Sequence, residues 1–163
     1  MKHTRALSKE DAFQDMENIA RTLKRAGDLY RSSRARNGIY DFLHAAYAVY
    51  WVLKRRGSIG RQKKLLRLAA NVSSSDSRRL SDLILYVAAQ MCDRRDRHRW
   101  KKLLEAAFRR LIHPRDLVKE LQAEHGVNNA LALWCAPKTQ SSTVSISASA
   151  ETQPASHDET TQG

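Results

Sequence analysis

Between Ile39 and Leu53 only Asp41 and His44 interrupt a run of apolar and aromatic side chains. Wound as a helix, that run is apolar on nearly every face, and a helix of this kind has to be covered on nearly every face. Its length as a helix is roughly 22 Å, short of the ~30 Å a bilayer core demands, and two ionisable groups lie inside it. A membrane span therefore fails on length and on charge. What remains is a helix from Ile39 to Arg56 at the centre of a bundle, opened by Asn37 or Gly38 and closed by Gly57.

Helix signals follow on both sides. Phe13, Met16, Ile19, Ala20 and Leu23 recur at helical spacing behind a cap at Ser8, and Gly27 reads as their stop. Asp28 to Arg36 reads either as a short second helix or as a continuation of the first. Ser58 precedes a helix to about Ala70 with Leu65, Leu68 and Ala69 inward. Ser75 or Asp76 caps the next, where Leu80, Leu83, Ile84, Val87 and Met91 recur. Asp93 or Asp96 starts a fifth, with Trp100, Leu104, Phe108 and Leu111 on one stripe. Pro114 opens a sixth that Gly126 ends, and a short last helix runs from Asn128 to Cys135. No segment alternates with period two, and 6 Gly and 3 Pro are too few for the turns of an all-β domain. The expected fold is all-α, a compact orthogonal bundle of about six to seven helices around the central helix 39–56.

Composition changes after Pro137. Residues 138–163 are rich in Ser, Thr, Gln and Ala, with Val144 and Ile146 as the only larger apolar side chains. Such a segment cannot repay the entropy of ordering, so a basic helical domain over 1–137 is expected to be followed by a disordered polar tail over 138–163. The tail sets one Lys against Glu151, Asp158 and Glu159. The whole chain carries +12, so residues 1–137 carry +14.

Where those charges fall matters more than how many there are. Cations stabilise a helix at its C-terminus and oppose the dipole at its N-terminus. Lys24 and Arg25 before Gly27, and Lys54, Arg55 and Arg56 before Gly57, stand where helix stability alone would put them. Three other clusters stand at the opposite end: Arg61, Lys63 and Lys64 after Ser58, Arg78 and Arg79 after Asp76, and Arg97, Arg99, Lys101 and Lys102 at the start of the fifth helix. A bound phosphate reverses the sign of that cost, because free amide N–H groups and basic heads then share one anion. A solvated face, with Glu105 pairing to Lys101 and Arg109 at four-residue spacing, accounts for the same letters without function.

Residues 64–85 can be read as a helix-turn-helix, with Asn71 in a left-handed turn, Val72 plugging it, and Arg78 and Arg79 near the N-terminus of the second helix. Ser77 falls where that pattern wants an apolar residue. A second candidate runs from Leu117 through His125-Gly126-Val127 to Trp134; its second helix offers Asn128 and Asn129 but no cation, and reads as a cap on the bundle.

No glycine-rich phosphate loop, metal-ligand pair or cofactor motif stands out, and no nucleophile or carboxylate accompanies His44, which reads as a buried core histidine. Tyr40, Tyr47, Tyr50 and Trp51 read as core before they read as a stacking platform for single strands. Cys92 and Cys135 suit a reducing compartment, and a cytoplasmic location follows. The residues point to a non-enzymatic DNA-binding regulator, transcriptional or belonging to a mobile element. Its partner would be nucleic acid, duplex DNA ahead of RNA, with a homodimer compatible with the helix-turn-helix reading. The rival is an adaptor or inhibitor that docks on an acidic protein, where the same surface would steer association.

Overall fold

A computed structural model describes residues 9–33, 38–73, 79–90 and 92–136, apart from the side chain of Lys9. Ser8, Asn37, Ser75, Asp76, Ser77, Arg78, Met91 and the segment 138–163, each assigned a role above, lie outside the described residues. The described residues form seven α-helices and one 3-10 turn, with no strand: α1 Lys9–Ser32, α2 Gly38–Arg55, α3 Ile59–Ala70, α4 Leu80–Ala88, α5 Arg94–Arg109, the 3-10 turn Pro114–Asp116, α6 Leu117–Ala123 and α7 Val127–Cys135. The fold is all-α.

Helix α2 is central, packing against α1, α3, α4, α5, α6 and the 3-10 turn. Phe42, Leu43, Ala46, Tyr47 and Leu53 are at most 1 % exposed. The Tyr47 hydroxyl donates to the Ile112 carbonyl at 2.6 Å, which ties α2 to the segment after α5. Burial pushes the Tyr47 phenol far above its ordinary range, with Tyr50 adding to it, so the donor stays protonated. One stripe of α2 is left open. Asp41, His44, Val52 and Arg55 recur at three- and four-residue multiples and are exposed. His44 is thus a surface residue and not the core histidine its aromatic neighbours suggested.

Gly27 does not end α1, which runs five residues further to Ser32. A Cβ built on Gly27 would lie 1.6 Å from the Ala88 carbonyl oxygen, so the glycine is there to let α4 approach. Lys24 and Arg25 are consequently mid-helix and do not compensate the C-terminus of α1. Lys24 instead donates to the Ala70 carbonyl at 3.3 Å, at the C-terminus of α3. In α3, Leu66 and Ala70 are buried and Leu68 is 60 % exposed. Leu68 follows Leu66 by two positions, which is the opposite side of a helix, so it could not share that face. Asn71 closes α3 in the left-handed region, φ 56° and ψ 48°, as its side chain permits. Leu111 leaves the fifth-helix stripe for the same kind of reason: α5 stops at Arg109, and Leu111 turns left-handed (φ 57°) and is 74 % exposed.

The helix-turn-helix reading of 64–85 does not fit this arrangement. Leu80, Ser81, Leu83, Ile84, Leu85, Val87 and Ala88 of α4 are all buried. A helix enclosed to that degree has no face to place in a groove.

Helix propensity alone would make Gly27→Ala a gain of about 1 kcal/mol. The collision with the Ala88 carbonyl reverses the sign, and urea unfolding is expected to show a net loss of about 1–3 kcal/mol.

Candidate nucleic-acid interface

Helix α5 begins where Asp93 accepts a hydrogen bond from the Arg95 amide at 2.9 Å, the first of the two caps, Asp93 or Asp96, that the sequence offered. Trp100, Leu103, Leu104, Ala106 and Ala107 are buried. The Trp100 ring meets Tyr30 of α1 edge-on at 5.5 Å between centroids and Phe42 of α2 at 5.1 Å. With that side committed to the core, the opposite side has one chemistry. Every exposed residue of α5 is Arg, Lys or His: Arg94, Arg95, His98, Arg99, Lys102 and Arg109. They run the length of the helix, roughly 22 Å at 1.5 Å per residue.

Of the two carboxylates of α5, only Asp96 pairs with a cation of this ridge. Asp96 lies 3.7 Å from Arg99 and is half-buried. Glu105 accepts from the buried Ser81 hydroxyl at 2.7 Å and from Arg79 at 3.3 Å, so it is bonded to α4 and its N-cap, while Lys101 of its own helix turns elsewhere. Lys101 is half-buried and reaches Asp82 of α4 at 3.0 Å. Arg97 holds its guanidinium 5.7 Å from the centre of the Tyr86 ring, also on α4. Of the four cations expected to grip phosphate at the start of α5, Arg97 and Lys101 therefore turn to α4, while Arg99 and Lys102 stand on the exposed ridge. Arg99 also donates to the Asn128 side-chain oxygen of α7.

Beside the ridge, α2, α3, α4 and α5 enclose a cleft of about 570 Å³. Lys54, Lys63, Arg79 and Arg109 line it, one from each helix or its cap, together with Tyr50, Ser81 and Glu105. Burial pushes the Tyr50 phenol up and the Glu105 carboxylate adds to that, while Arg109 and Arg79 pull it back. The first residues of α3 and α4, Ile59 and Leu80, also line the cleft, and neither helix start has a side-chain cap. Uncapped starts leave amide N–H groups for an outside acceptor such as water or an anion. Arg61 and Lys64 are exposed in the first turns of α3, whereas Lys63 is half-buried; Arg78 lies outside the described residues.

Sequence reasoning passed over Arg94, Arg95, Lys54 and Arg109 as site residues. Arg94, His98, Lys102 and Arg109 were accessible to it, since they fall on the arc opposite Trp100 and Leu104 once that stripe is placed inward. That Lys54 and Arg109 would meet across a cleft had no local signal. The Cys92 thiol is pushed up by burial and by Asp96, so it stays a poor nucleophile. Among the described residues no group of three or more His, Cys, Asp or Glu is placed to hold a metal ion, and no helix is long and apolar enough to cross a membrane. Comparison with protein-family models, curated proteins and solved structures finds no match for this chain.

The neighbours Lys101 and Lys102 make a test of this sorting. Lys101→Ala, which breaks a partly buried pair, is expected to lower stability by about 1 kcal/mol in urea unfolding. Lys102→Ala is expected to leave stability within about 0.5 kcal/mol.

Proposed function

We propose that this chain is a non-enzymatic DNA-binding regulatory protein that holds duplex phosphates along the exposed face of α5 and in the adjoining cleft. The observation that carries the reading is the ridge, since every exposed residue of α5 is Arg, Lys or His. Such a face is held together against its own repulsion, and Arg94 and Arg95 in the first turn also oppose the helix dipole. A polyanion removes both costs at once. Arginine dominates the ridge, and its planar fork pairs with two phosphate oxygens where an ammonium acts as a point charge. The cleft adds Lys54, Lys63, Arg79 and Arg109. Two free thiols, Cys92 and Cys135, fit a cytoplasmic location.

The test is fluorescence anisotropy of the full chain on a labelled duplex of roughly 25 base pairs between about 50 and 200 mM salt. Six phosphate contacts give a slope near −5 in log K against log salt, about a thousandfold loss across that range. Lys102→Ala and Arg109→Ala are each expected to reduce the slope by about 1, and Lys101→Ala to leave it unchanged. Absence of duplex binding at about 50 mM salt would overturn the reading and turn the same surface toward an acidic protein partner.

A further inference from the structure

Helices α6 and α7 are joined by a turn of helix-turn-helix length. Three residues, Glu124, His125 and Gly126, join Leu117–Ala123 to Val127–Cys135, within the three- to four-residue turn that motif uses. The turn is fully bonded: the Gly126 amide donates to the Leu121 carbonyl at 2.8 Å and the His125 amide to the Gln122 carbonyl at 3.0 Å. His125 and Gly126 both take positive φ, 59° and 119°, and glycine makes the second of these free of strain.

Helix α7 is one-sided. Ala130 and Trp134 are buried, and the Trp134 indole donates to Glu124 at 3.2 Å, which locks the helix onto its own turn. Asn128, Asn129, Ala132 and Leu133 face solvent. No residue of α7 is charged, and this is why the segment reads from sequence as a mere cap. The cations come from elsewhere. Arg99 meets Asn128 at the start of α7, and the Lys102 carbonyl accepts from the Cys135 thiol at its end. The basic ridge of α5 therefore borders α7, with Arg95 one turn before Arg99. Arg115 and Lys119, on the 3-10 turn and α6, are also exposed.

We infer that α7 is the element that reads base sequence, lying in the major groove of duplex DNA while Arg99 and Lys102 hold phosphates at its edge. This rests on the proposed function and adds to it the reading helix. The N-terminal residues of a recognition helix are the ones that contact base edges, and here they are Asn129 and Asn128, the latter with its side-chain oxygen already accepting from Arg99. An asparagine amide matches adenine N6 and N7 with two hydrogen bonds, and an alanine methyl at Ala132 suits the thymine methyl. Short side chains at all three positions let the helix backbone come close to the bases. An A-form RNA duplex would not admit it, because its major groove is too narrow and deep.

The experiment is selection of duplexes from a random pool by the full chain, followed by affinity for the selected site and for an unrelated duplex. An enriched site is expected, with Asn129→Ala lowering preference for it by about 5- to 150-fold while affinity for the unrelated duplex stays within about twofold. Lys102→Ala is expected to weaken both duplexes alike. Circular dichroism of each variant checks that the helices are retained, and Asn128→Ala supplies a second probe should Asn129→Ala fail that check. If the chain binds duplex DNA but enriches no site, or if both Asn variants keep the selected site's advantage, α7 is not the reader and the proposed function stands without it. If the chain binds no duplex, or binds RNA alone, both fall.

Discussion

Helix α2 must give up water on all but one of its sides, and most of the architecture is a response to that. Its buried Phe42, Tyr47, Tyr50 and Trp51 are each at most 9 % exposed, and large side chains of this kind contribute roughly 1.5–3 kcal/mol apiece when fully removed from water. Rings from three other elements close over them: Tyr30 of α1, Trp100 and Phe108 of α5, and His113 ahead of the 3-10 turn. The Tyr47 hydroxyl cannot be buried without an acceptor, and the one it finds, the Ile112 carbonyl, lies in the link from α5 to α6. The demand of one side chain for a hydrogen bond thus helps to set where α6 and α7 begin.

The character of α5 follows from the same demand. Its Trp100 and Leu104 stripe is committed to α2, α1 and the core, so whatever the sequence holds on the other arc has to meet solvent. It holds cations there, with Glu105 drawn off to the buried Ser81 hydroxyl and Asp96, half-buried, paired with Arg99 of the ridge. A solvated helix face ordinarily alternates signs and gains a few tenths of a kcal/mol from each four-residue pair. This one keeps a single ion pair, Asp96 with Arg99 at three-residue spacing. The four-residue pair open to Glu105 and Lys101 is replaced by links to α4, from Ser81 and Arg79 to Glu105 and from Lys101 to Asp82. Glu105 and Asp82 knit α5 and α4 together, and apart from Asp96 beside Arg99 the ridge is left basic.

The all-α class, the central helix, the Asp93 cap, the Asn71 turn and the last short helix were all legible, because each depends on a local rule of period, capping or backbone preference. The misreadings share a cause as well. Gly27 looks like a stop when only its own helix is considered; its reason is Ala88, sixty-one residues away. Leu68 and Leu111 are apolar letters whose facing depends on one or two residues of register or helix length. Lys24 and His44 were assigned by what surrounds them in sequence, while the fold gave them a different helix's carbonyl and open water. In the candidate interface, the ridge was partly legible through α5's own period, whereas the cleft and the cations beside α7 exist only after the helices pack.

That last point bears on how affinity and specificity divide on this surface. A cation on the ridge is attracted to any phosphate and releases a counterion whichever base lies behind it, so it carries affinity that is indifferent to sequence and steep in salt. Helix α7 has no charge to contribute to that term. What it presents, two amides, the Ala132 methyl and the exposed Leu133, would in the proposed reading form contacts that depend on the base and hardly on ionic strength. Because Arg99 is itself a ridge cation and is bonded to Asn128, the proposed phosphate grip and reading helix would share one register. A helix without cations is a weak sign of recognition in a linear sequence, yet this packing permits the proposed role: the neighbouring helix supplies the charge, and α7 presents short amides near its start with Leu133 exposed one turn further on.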